Sequence, residues 1–145
     1  MGRDGGEILL IEDDPQHVEL MLRAFKRSQV ADRIHLARDG IEALDFILAR
    51  GPYEGRAAAR RLALVILDLK LPRISGLEVL ARLRSLESLR AIPVVVLTSS
   101  HEERDMRESY RLGANSFVTK PLSFEPLAGA LSQIATYWLS VNQLP

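Results

Sequence analysis

Short apolar runs alternate along the chain with longer segments in which apolar residues recur every three or four positions. The runs that we predict to be β-strands are residues 7–11, 33–37, 62–67, 93–97 and 116–118. The segments that we predict to be α-helices are residues 15–29, 40–50, 76–84, 102–112 and 124–140. Alternating strands and helices favour an α/β fold, here a doubly wound parallel sheet of five strands.

The third run, Leu62–Leu67, is apolar at every position and stops at Asp68. Such a run is typical of a strand that is buried on both faces, as in a parallel sheet. A loop containing Pro72 and Gly76 follows and leads into the predicted third helix. Reactive groups of open α/β sheets lie just beyond the carboxyl ends of the strands, and this is the position of Asp68.

Polar side chains follow three further predicted strands at the same point. They are Glu12, Asp13 and Asp14 after the first strand, Thr98, Ser99 and Ser100 after the fourth, and Lys120 after the fifth. Because strand ends converge at one edge of a doubly wound sheet, we expect these side chains to surround Asp68. Clustered acids repel one another unless they share a cation, and all-oxygen ligands favour Mg²⁺, Mn²⁺ or Ca²⁺ over zinc. Together with a lysine and a hydroxyl, these groups are typical of a phosphoryl-binding site.

Each of these pieces has a simpler explanation when it is taken alone. Acids are common in the first turn of a helix, and Thr98 to Ser100 could cap one. The signal lies in the whole set, which occupies four strand ends in chain order. His17, His35 and His101 stand singly without metal-ligand spacing, and we predict surface or half-buried positions for them.

Composition limits the class of protein. The chain has 145 residues, no cysteine and a formal net charge of zero. We expect one domain over residues 1–145, with its core over about 7–140. A short tail over 1–6 would precede the core, and an apolar extension over about 137–145 would end the chain. We predict a surface loop over 51–61. The balanced charge argues against a nucleic-acid partner, and no segment has the length of a membrane span. The lack of cysteine agrees with a cytoplasmic location.

The motifs resemble the receiver domain of two-component response regulators over about residues 7–140. The residues that carry the resemblance are the acidic cluster, Asp68, Pro72, Gly76, Thr98, Lys120 and Pro121. The spacings also agree, with 30 residues from Asp68 to Thr98 and 22 from Thr98 to Lys120. The resemblance implies a flavodoxin-like sheet in the order 2-1-3-4-5.

The resemblance also implies a phosphoacceptor and a metal site. Asp68 would accept the phosphoryl group, and Mg²⁺ or Mn²⁺ would be the cofactor. The metal ligands would be Asp13 directly, Glu12 mainly through water, Asp68, and the backbone carbonyl of Lys70. Such a domain catalyses its own phosphorylation and its slow dephosphorylation, and it is not otherwise an enzyme.

Further roles follow from the same resemblance. Thr98 would donate its hydroxyl to a phosphoryl oxygen, and Lys120 would pair with the phosphoryl group through its ammonium. The peptide bond between Lys120 and Pro121 would be cis. Thr98 and Phe117 would form the conformational switch, although Phe117 is also explained as a plain core residue.

A narrower likeness concerns the partner. Residues 11–17, the loop 51–61 and the segment 137–139 resemble single-domain regulators that are paired with bacterial and cyanobacterial phytochromes. This implies a histidine kinase, of phytochrome type, as the phosphoryl donor. Two alternatives remain, which are a phosphorelay intermediate and a receiver-like protein-binding module that is not phosphorylated. A phosphohydrolase is disfavoured, because Lys70 stands where that class needs a second aspartate.

The last predicted helix carries an apolar stripe with spacings of three and four. Its first part is most simply the face that packs on the sheet. The residues beyond it continue the apolar character, and they are Tyr137, Trp138, Val141 and Leu144. An apolar end of this kind would be exposed in a monomer, so we predict a homodimer through the last helix and tail.

Overall fold

The computed structural model describes residues 6–55 and 62–145 of the chain. The strands are β1 (Glu7–Ile11), β2 (Ile34–Ala37), β3 (Leu62–Leu67), β4 (Val94–Thr98) and β5 (Ser116–Thr119). The helices are α1 (Pro15–Arg27), α2 (Gly40–Leu48), α3 (Gly76–Ser85), α4 (Glu103–Arg111) and α5 (Phe124–Thr136). All strand pairs are parallel, in the order 2-1-3-4-5. The predicted fold class and strand order are therefore confirmed.

The first two helices end about two residues earlier than the sequence predicts. Gln29 has a φ of 65° and Ala49 a φ of 56°, so each chain reversal uses a left-handed residue. Neither residue is glycine, which is the usual signal for such a helix end. The apolar periodicity therefore continues in the sequence past the point where the helix stops.

Each buried strand contributes to two separate cores, because alternate side chains point to opposite faces of the sheet. On one face, Leu9, Ile11, Val65 and Leu67 pack with α2 and α3. On the other face, the residues of the same strands that pack with α1 and α5 are Ile8, Leu10, Leu64 and Ile66. The central strands are thereby held rigidly from both sides, and so are the residues that follow them.

Helix α4 is attached to the sheet far more weakly than the other helices. Ser109 is its one buried residue, and its two large apolar side chains, Met106 and Tyr110, are both exposed. The hydroxyl of Tyr110 accepts a hydrogen bond from the backbone N–H of Phe117 at 3.1 Å, which ties the helix to β5.

Arg84, at the end of α3, fixes the segments that lead into β4 and β5. Its guanidinium donates to the carbonyls of Ile92 at 2.8 Å, Leu89 at 3.3 Å and Gly113 at 3.0 Å, and to Oδ1 of Asn115 at 3.1 Å. Burial lowers the pKa of Arg84. Gly113 has a φ of 106°, as expected for a glycine that ends α4.

The last predicted helix ends at Thr136 rather than at residue 140. It passes into a π-helical segment, Tyr137–Val141, whose wider turn redirects the side chains. Trp138 then packs partly against the core on the α1 and α5 face, which corrects the expectation that it is exposed. Tyr137, Val141 and Leu144 are exposed, at 47%, 61% and 44% of their surface.

The predicted surface loop 51–61 begins with a short 3₁₀ helix, Gly51–Tyr53. Residues 56–61 of that loop, and residues 1–5 of the predicted tail, lie outside the described residues. None of the helices in the described part of the chain combines the length and the hydrophobicity that crossing a membrane requires.

Candidate functional site

Three carboxylates meet at the carboxyl ends of β1 and β3. Each of Glu12, Asp13 and Asp68 offers an oxygen, and these oxygens all lie within 4.8 Å of one another. The register explains the meeting, because Ile11 is paired with Leu67 and the acids are the next residues of the two strands. The N–H of Asp68 also donates to the carbonyl of Ile11 at 3.1 Å, which continues the ladder into the site.

Lys120 supplies the positive charge at the centre of this cluster. Its Nζ lies 2.8 Å from Oε1 of Glu12 and 3.4 Å from Oδ2 of Asp68, and its side chain is buried. The N–H of Lys120 donates to the carbonyl of Thr98 at 2.7 Å, so the ends of β4 and β5 are held together. The structure therefore brings the acids and the lysine into one site, as the strand ends predicted.

The resemblance implied a cis peptide bond between Lys120 and Pro121, and the structure contradicts it. This bond is trans. The trans form is the one that an X–Pro bond favours, by about 0.5–1 kcal/mol. The short contacts of the lysine with the acids are made without the cis isomer.

Glu12 is almost completely buried, with 1% of its surface exposed. Burial raises the pKa of Glu12 to about 7; the hydrogen bond from Lys120 opposes this shift, and the nearby carboxylate of Asp68 adds to it. A hard divalent cation would favour the charged form of these acids and relieve their repulsion. The donor set consists of carboxylate oxygens, so it fits Mg²⁺ or Mn²⁺.

Thr98 lies at the end of β4 and is completely buried. Its hydroxyl oxygen accepts a hydrogen bond from the N–H of Ser100 at 3.3 Å, so its hydrogen stays available for an acceptor in the site. Ser100 is itself fixed, because its hydroxyl donates to Oδ2 of Asp105 at 2.6 Å. The β4–α4 loop therefore holds a hydroxyl donor in place.

The loop after Asp68 depends on a glycine. The N–H of Gly76 donates to the carbonyl of Leu69 at 2.9 Å. A Cβ at Gly76 would overlap the carbonyl oxygen of Asp68 and lie 2.6 Å from Cα of Leu69. Lys70 is exposed, and its N–H donates to Oδ1 of Asp68 at 3.4 Å.

A groove of about 400 Å³ lies beside this loop, between the starts of α3 and α4. Lys70, Ser99 and His101 are among the residues that line it. His101 thus lies at the exposed rim, in agreement with the surface position predicted for it.

Phe117, the predicted switch aromatic, lies in β5 and is half-buried. It packs against the core on the α2 and α3 face. The structure therefore places it neither in the acidic cluster nor free on the surface, and its switching role stays a prediction.

His17 is a residue of the site that the sequence did not single out. Its Nδ1 lies 2.9 Å from Nζ of Lys120, and the ring is half-buried. His17 is in the first turn of α1, which Asp14 caps by accepting the N–H groups of Gln16 and His17. The available signal was its distance of five residues from Glu12, across a loop that Asp14 and Pro15 turn back onto the strand end.

Comparison with known proteins gives one consistent result. The model of the response regulator receiver domain family matches residues 8–132. The probable methanogenesis regulatory protein FilR2 of Methanothrix harundinacea is 46% identical over 139 residues, which cover 95% of this chain and 86% of that protein. The response regulator Rcp1 of Synechocystis is 38% identical over 138 residues, covering 95% of this chain and 92% of Rcp1.

Solved structures agree with the sequence relatives. The crystal structure of the phosphorylated cyanobacterial phytochrome response regulator RcpA has a TM-score of 0.88 at 35% identity, covering 97% of this chain and 98% of RcpA. The Mn²⁺-bound form of Rcp1 has a TM-score of 0.86 at 36% identity, covering 97% of this chain and 99% of that one. The likeness extends over the whole sheet and its carboxyl edge.

Proposed function

This chain belongs to the response regulator receiver domain family, and from that premise we propose that Asp68 accepts a phosphoryl group from a histidine kinase. The observation that carries the proposal is the contact of one buried lysine with two acids from neighbouring strands. Lys120 reaches both Glu12 and Asp68 from the end of a third strand. A buried ammonium held beside a carboxylate is suited to stabilise the negative oxygens of a phosphoryl group.

Asp68 is the nucleophile in this proposal. One of its carboxylate oxygens attacks the phosphorus of a phosphohistidine, a P–O bond forms and the N–P bond breaks. The electron pair of the broken bond goes to the departing imidazole nitrogen. A carboxylate acting in this way gives an aspartyl phosphate.

Lys120 and Thr98 complement the charge that the phosphoryl group brings. Phosphoryl transfer spreads negative charge over three equatorial oxygens, so fixed donors around them lower the barrier. The ammonium of Lys120 is already within 3.4 Å of Asp68, and the hydroxyl hydrogen of Thr98 is available. The lysine therefore lies beside the acceptor before the reaction begins.

Mg²⁺ or Mn²⁺ would be held by Asp13, Asp68, the backbone carbonyl of Lys70 and, mainly through water, Glu12. When bound, it would neutralise phosphoryl oxygens in the manner of other phosphoryl-transfer sites. The relative Rcp1 has been solved in a Mn²⁺-bound form, which supports a divalent cation at this site. The candidate ligand oxygens of Glu12, Asp13 and Asp68 lie within 4.8 Å of one another, which suits one shared cation.

The phosphorylated state would be reversed by water. Attack of water on phosphorus breaks the P–O bond to Asp68, releases inorganic phosphate and regenerates the carboxylate. The same residues would serve this step, so the domain catalyses both its own phosphorylation and its own dephosphorylation. Lys70, Ser99 and Ser100 line the groove beside the site, and they would flank the route of that water.

The donor would be a kinase of phytochrome type. RcpA is a cyanobacterial phytochrome response regulator, and it matches this chain over nearly its whole length. A role as a phosphorelay intermediate would use the same chemistry and differ only in what receives the phosphoryl group. A cytoplasmic location and the absence of a nucleic-acid partner stay predictions from composition.

The output would be a change of surface. Thr98 would move toward the phosphoryl group, and Phe117 would fill the space that it leaves. Helix α4 is linked to Phe117 through the hydroxyl of Tyr110, and of the five α-helices it has the fewest buried residues.

Dimerisation through the C-terminal end would carry the signal to a second copy. The exposed members of the predicted interface are Tyr137, Val141 and Leu144, while Trp138 contributes only its uncovered part. Sedimentation that shows a monomer at high concentration, with and without phosphorylation, would count against the dimer.

The decisive experiment replaces Asp68 by Asn. The variant keeps the shape of the side chain but lacks the nucleophilic carboxylate, so incorporation of acid-labile phosphate from a phytochrome-type kinase or from phosphoramidate should stop. Asp32→Asn is the matched control, because Asp32 is an exposed aspartate in a 3₁₀ turn before β2. Equal phosphorylation of D68N and the wild type would refute Asp68 as the acceptor, whereas a wild type that incorporates no phosphate would favour a binding module that is not phosphorylated.

A further inference from the structure

His17 completes the coordination of the lysine ammonium. Nζ of Lys120 has three N–H donors, and three acceptors surround it in the structure. These are Oε1 of Glu12 at 2.8 Å, Nδ1 of His17 at 2.9 Å and Oδ2 of Asp68 at 3.4 Å. None of the metal, nucleophile or switch roles described above uses His17.

The direction of the bond between His17 and Lys120 is fixed by chemistry. An ammonium donates and cannot accept, so Nδ1 of His17 must carry a free lone pair and the ring hydrogen must be on Nε2. Two carboxylate oxygens, Oε2 of Glu12 and Oδ2 of Asp14, lie 3.8 Å from the same nitrogen. That distance is too long for a hydrogen bond, so the contact at 2.9 Å decides the tautomer.

The position of His17 is set by the backbone around it. Pro15 opens helix α1, and the carboxylate of Asp14 accepts the N–H of His17 at 3.4 Å. The imidazole therefore projects from a capped first turn beside the acidic cluster. Without the imidazole, the ammonium would keep two acceptors among the described residues, and the nearer of them is Glu12 rather than Asp68.

We infer that His17 is a positioning residue, which holds Nζ of Lys120 between the acids and within reach of the phosphoryl group on Asp68. The inference rests on the proposed function. The imidazole nitrogen anchors one donor of the ammonium from the side of α1, and so keeps the lysine from moving wholly onto Glu12.

The test compares two replacements of His17. Asn places an acceptor oxygen near the position of Nδ1, whereas Leu fills similar space without an acceptor. With Mg²⁺ saturating, beryllofluoride serves as the phosphoryl analogue, and its affinity is measured by titration. The loss of one hydrogen bond predicts that H17L binds beryllofluoride about 3- to 10-fold more weakly and that H17N recovers to within about 2-fold of the wild type. Gln16→Leu is the control, since Gln16 is exposed on the same helical turn.

A second readout starts from the metal-free protein, before the site is loaded. Long-range ¹H–¹⁵N spectra of the metal-free wild type should show His17 with a hydrogen on Nε2 and none on Nδ1. Beryllofluoride with Mg²⁺ should shift the Nδ1 resonance as the ammonium turns toward the new anion. A hydrogen on Nδ1 in the metal-free protein would overturn the inference, and so would an unmoved Nδ1 resonance.

The affinities also separate the possible failures. Equal binding by H17L and the wild type, tighter binding by H17L, or an H17N variant as weak as H17L would each overturn the positioning role. If the wild type bound no beryllofluoride at all, the proposed function would fail, while the metal-free spectrum would still report on the contact between His17 and Lys120. Unfolding temperatures of both variants confirm that a folded protein is being compared.

Discussion

Replacing Gly76 by Ala should displace the loop that follows Asp68, although Gly76 is not among the residues that we propose to bind the phosphoryl group. The added Cβ would overlap the carbonyl oxygen of Asp68 and lie 2.6 Å from Cα of Leu69, where real Cβ contacts essentially never fall below 3.0 Å. Both obstacles are backbone atoms, so no side-chain rotation relieves them. The loop must move by at least a few tenths of an ångström.

The energetic cost follows from this movement. Overpacking against a fixed neighbour costs about 1–3 kcal/mol, and loss of the hydrogen bond from Gly76 to Leu69 adds about 1 kcal/mol. We expect the free energy of unfolding to fall by about 2–4 kcal/mol, which lowers Tm by about 5–15 °C in a chain of this size. Because small misplacements of reacting groups are costly, phosphorylation of Asp68 should slow by about 10- to 100-fold.

The assay combines urea unfolding with the rate of phosphorylation by phosphoramidate. Gly129→Ala is the control, because Gly129 is exposed in α5 and an added Cβ there meets nothing within 4 Å. That variant should gain about 0.5–1 kcal/mol of stability, since glycine is a poor helix former, and should phosphorylate normally. If G76A unfolds within 0.5 kcal/mol of the wild type and reacts at the same rate, the reasoning about the close approach is wrong.

Two further substitutions test the charges of the site and the frame around it. Lys120→Met removes the ammonium whose positive charge opposes a metal cation, so calorimetry should show tighter Mg²⁺ binding. Phosphorylation should slow by about 100-fold or more, because the same ammonium would stabilise the phosphoryl oxygens. An unchanged Mg²⁺ affinity would contradict the argument that the lysine charge opposes the metal. Arg84→Met removes four hydrogen bonds to the segments before β4 and β5, so unfolding should be easier by about 2–4 kcal/mol. Arg82→Met is the control, because it removes an exposed ion pair with Glu78 and should change the free energy of unfolding by less than about 1 kcal/mol. If the two arginine variants lost the same stability, the role of Arg84 would be refuted.

The sequence predicted the fold well because a buried strand gives two signals, which are a continuous apolar run and a polar residue where the run ends. The run Leu62–Leu67 is apolar throughout, as burial on both faces requires, and it ends at the residue that leaves the sheet. Helix ends were harder to place, because Gln29 and Ala49 adopt left-handed conformations that their identities do not signal.

The site was predictable only in part. Strand ends in a doubly wound sheet converge, so Glu12, Asp68 and Lys120 could be grouped from chain order alone. The contact of His17 with Lys120 could not be predicted from chain order, because it depends on how α1 turns back over the end of β1. The half-covered position of Trp138 likewise depends on a π-helical turn that the regular apolar spacing does not reveal.

The shallow attachment of α4 has a consequence for how the protein can vary over evolution. Helices that pack on the core are constrained at each inward position, because a change in side-chain volume there disturbs the close-packed neighbours. In α4 only Ser109 has such a position. The outward residues of α4 can therefore be substituted to contact a different partner protein. Such substitutions would leave the two cores and the proposed chemistry of Asp68 unchanged.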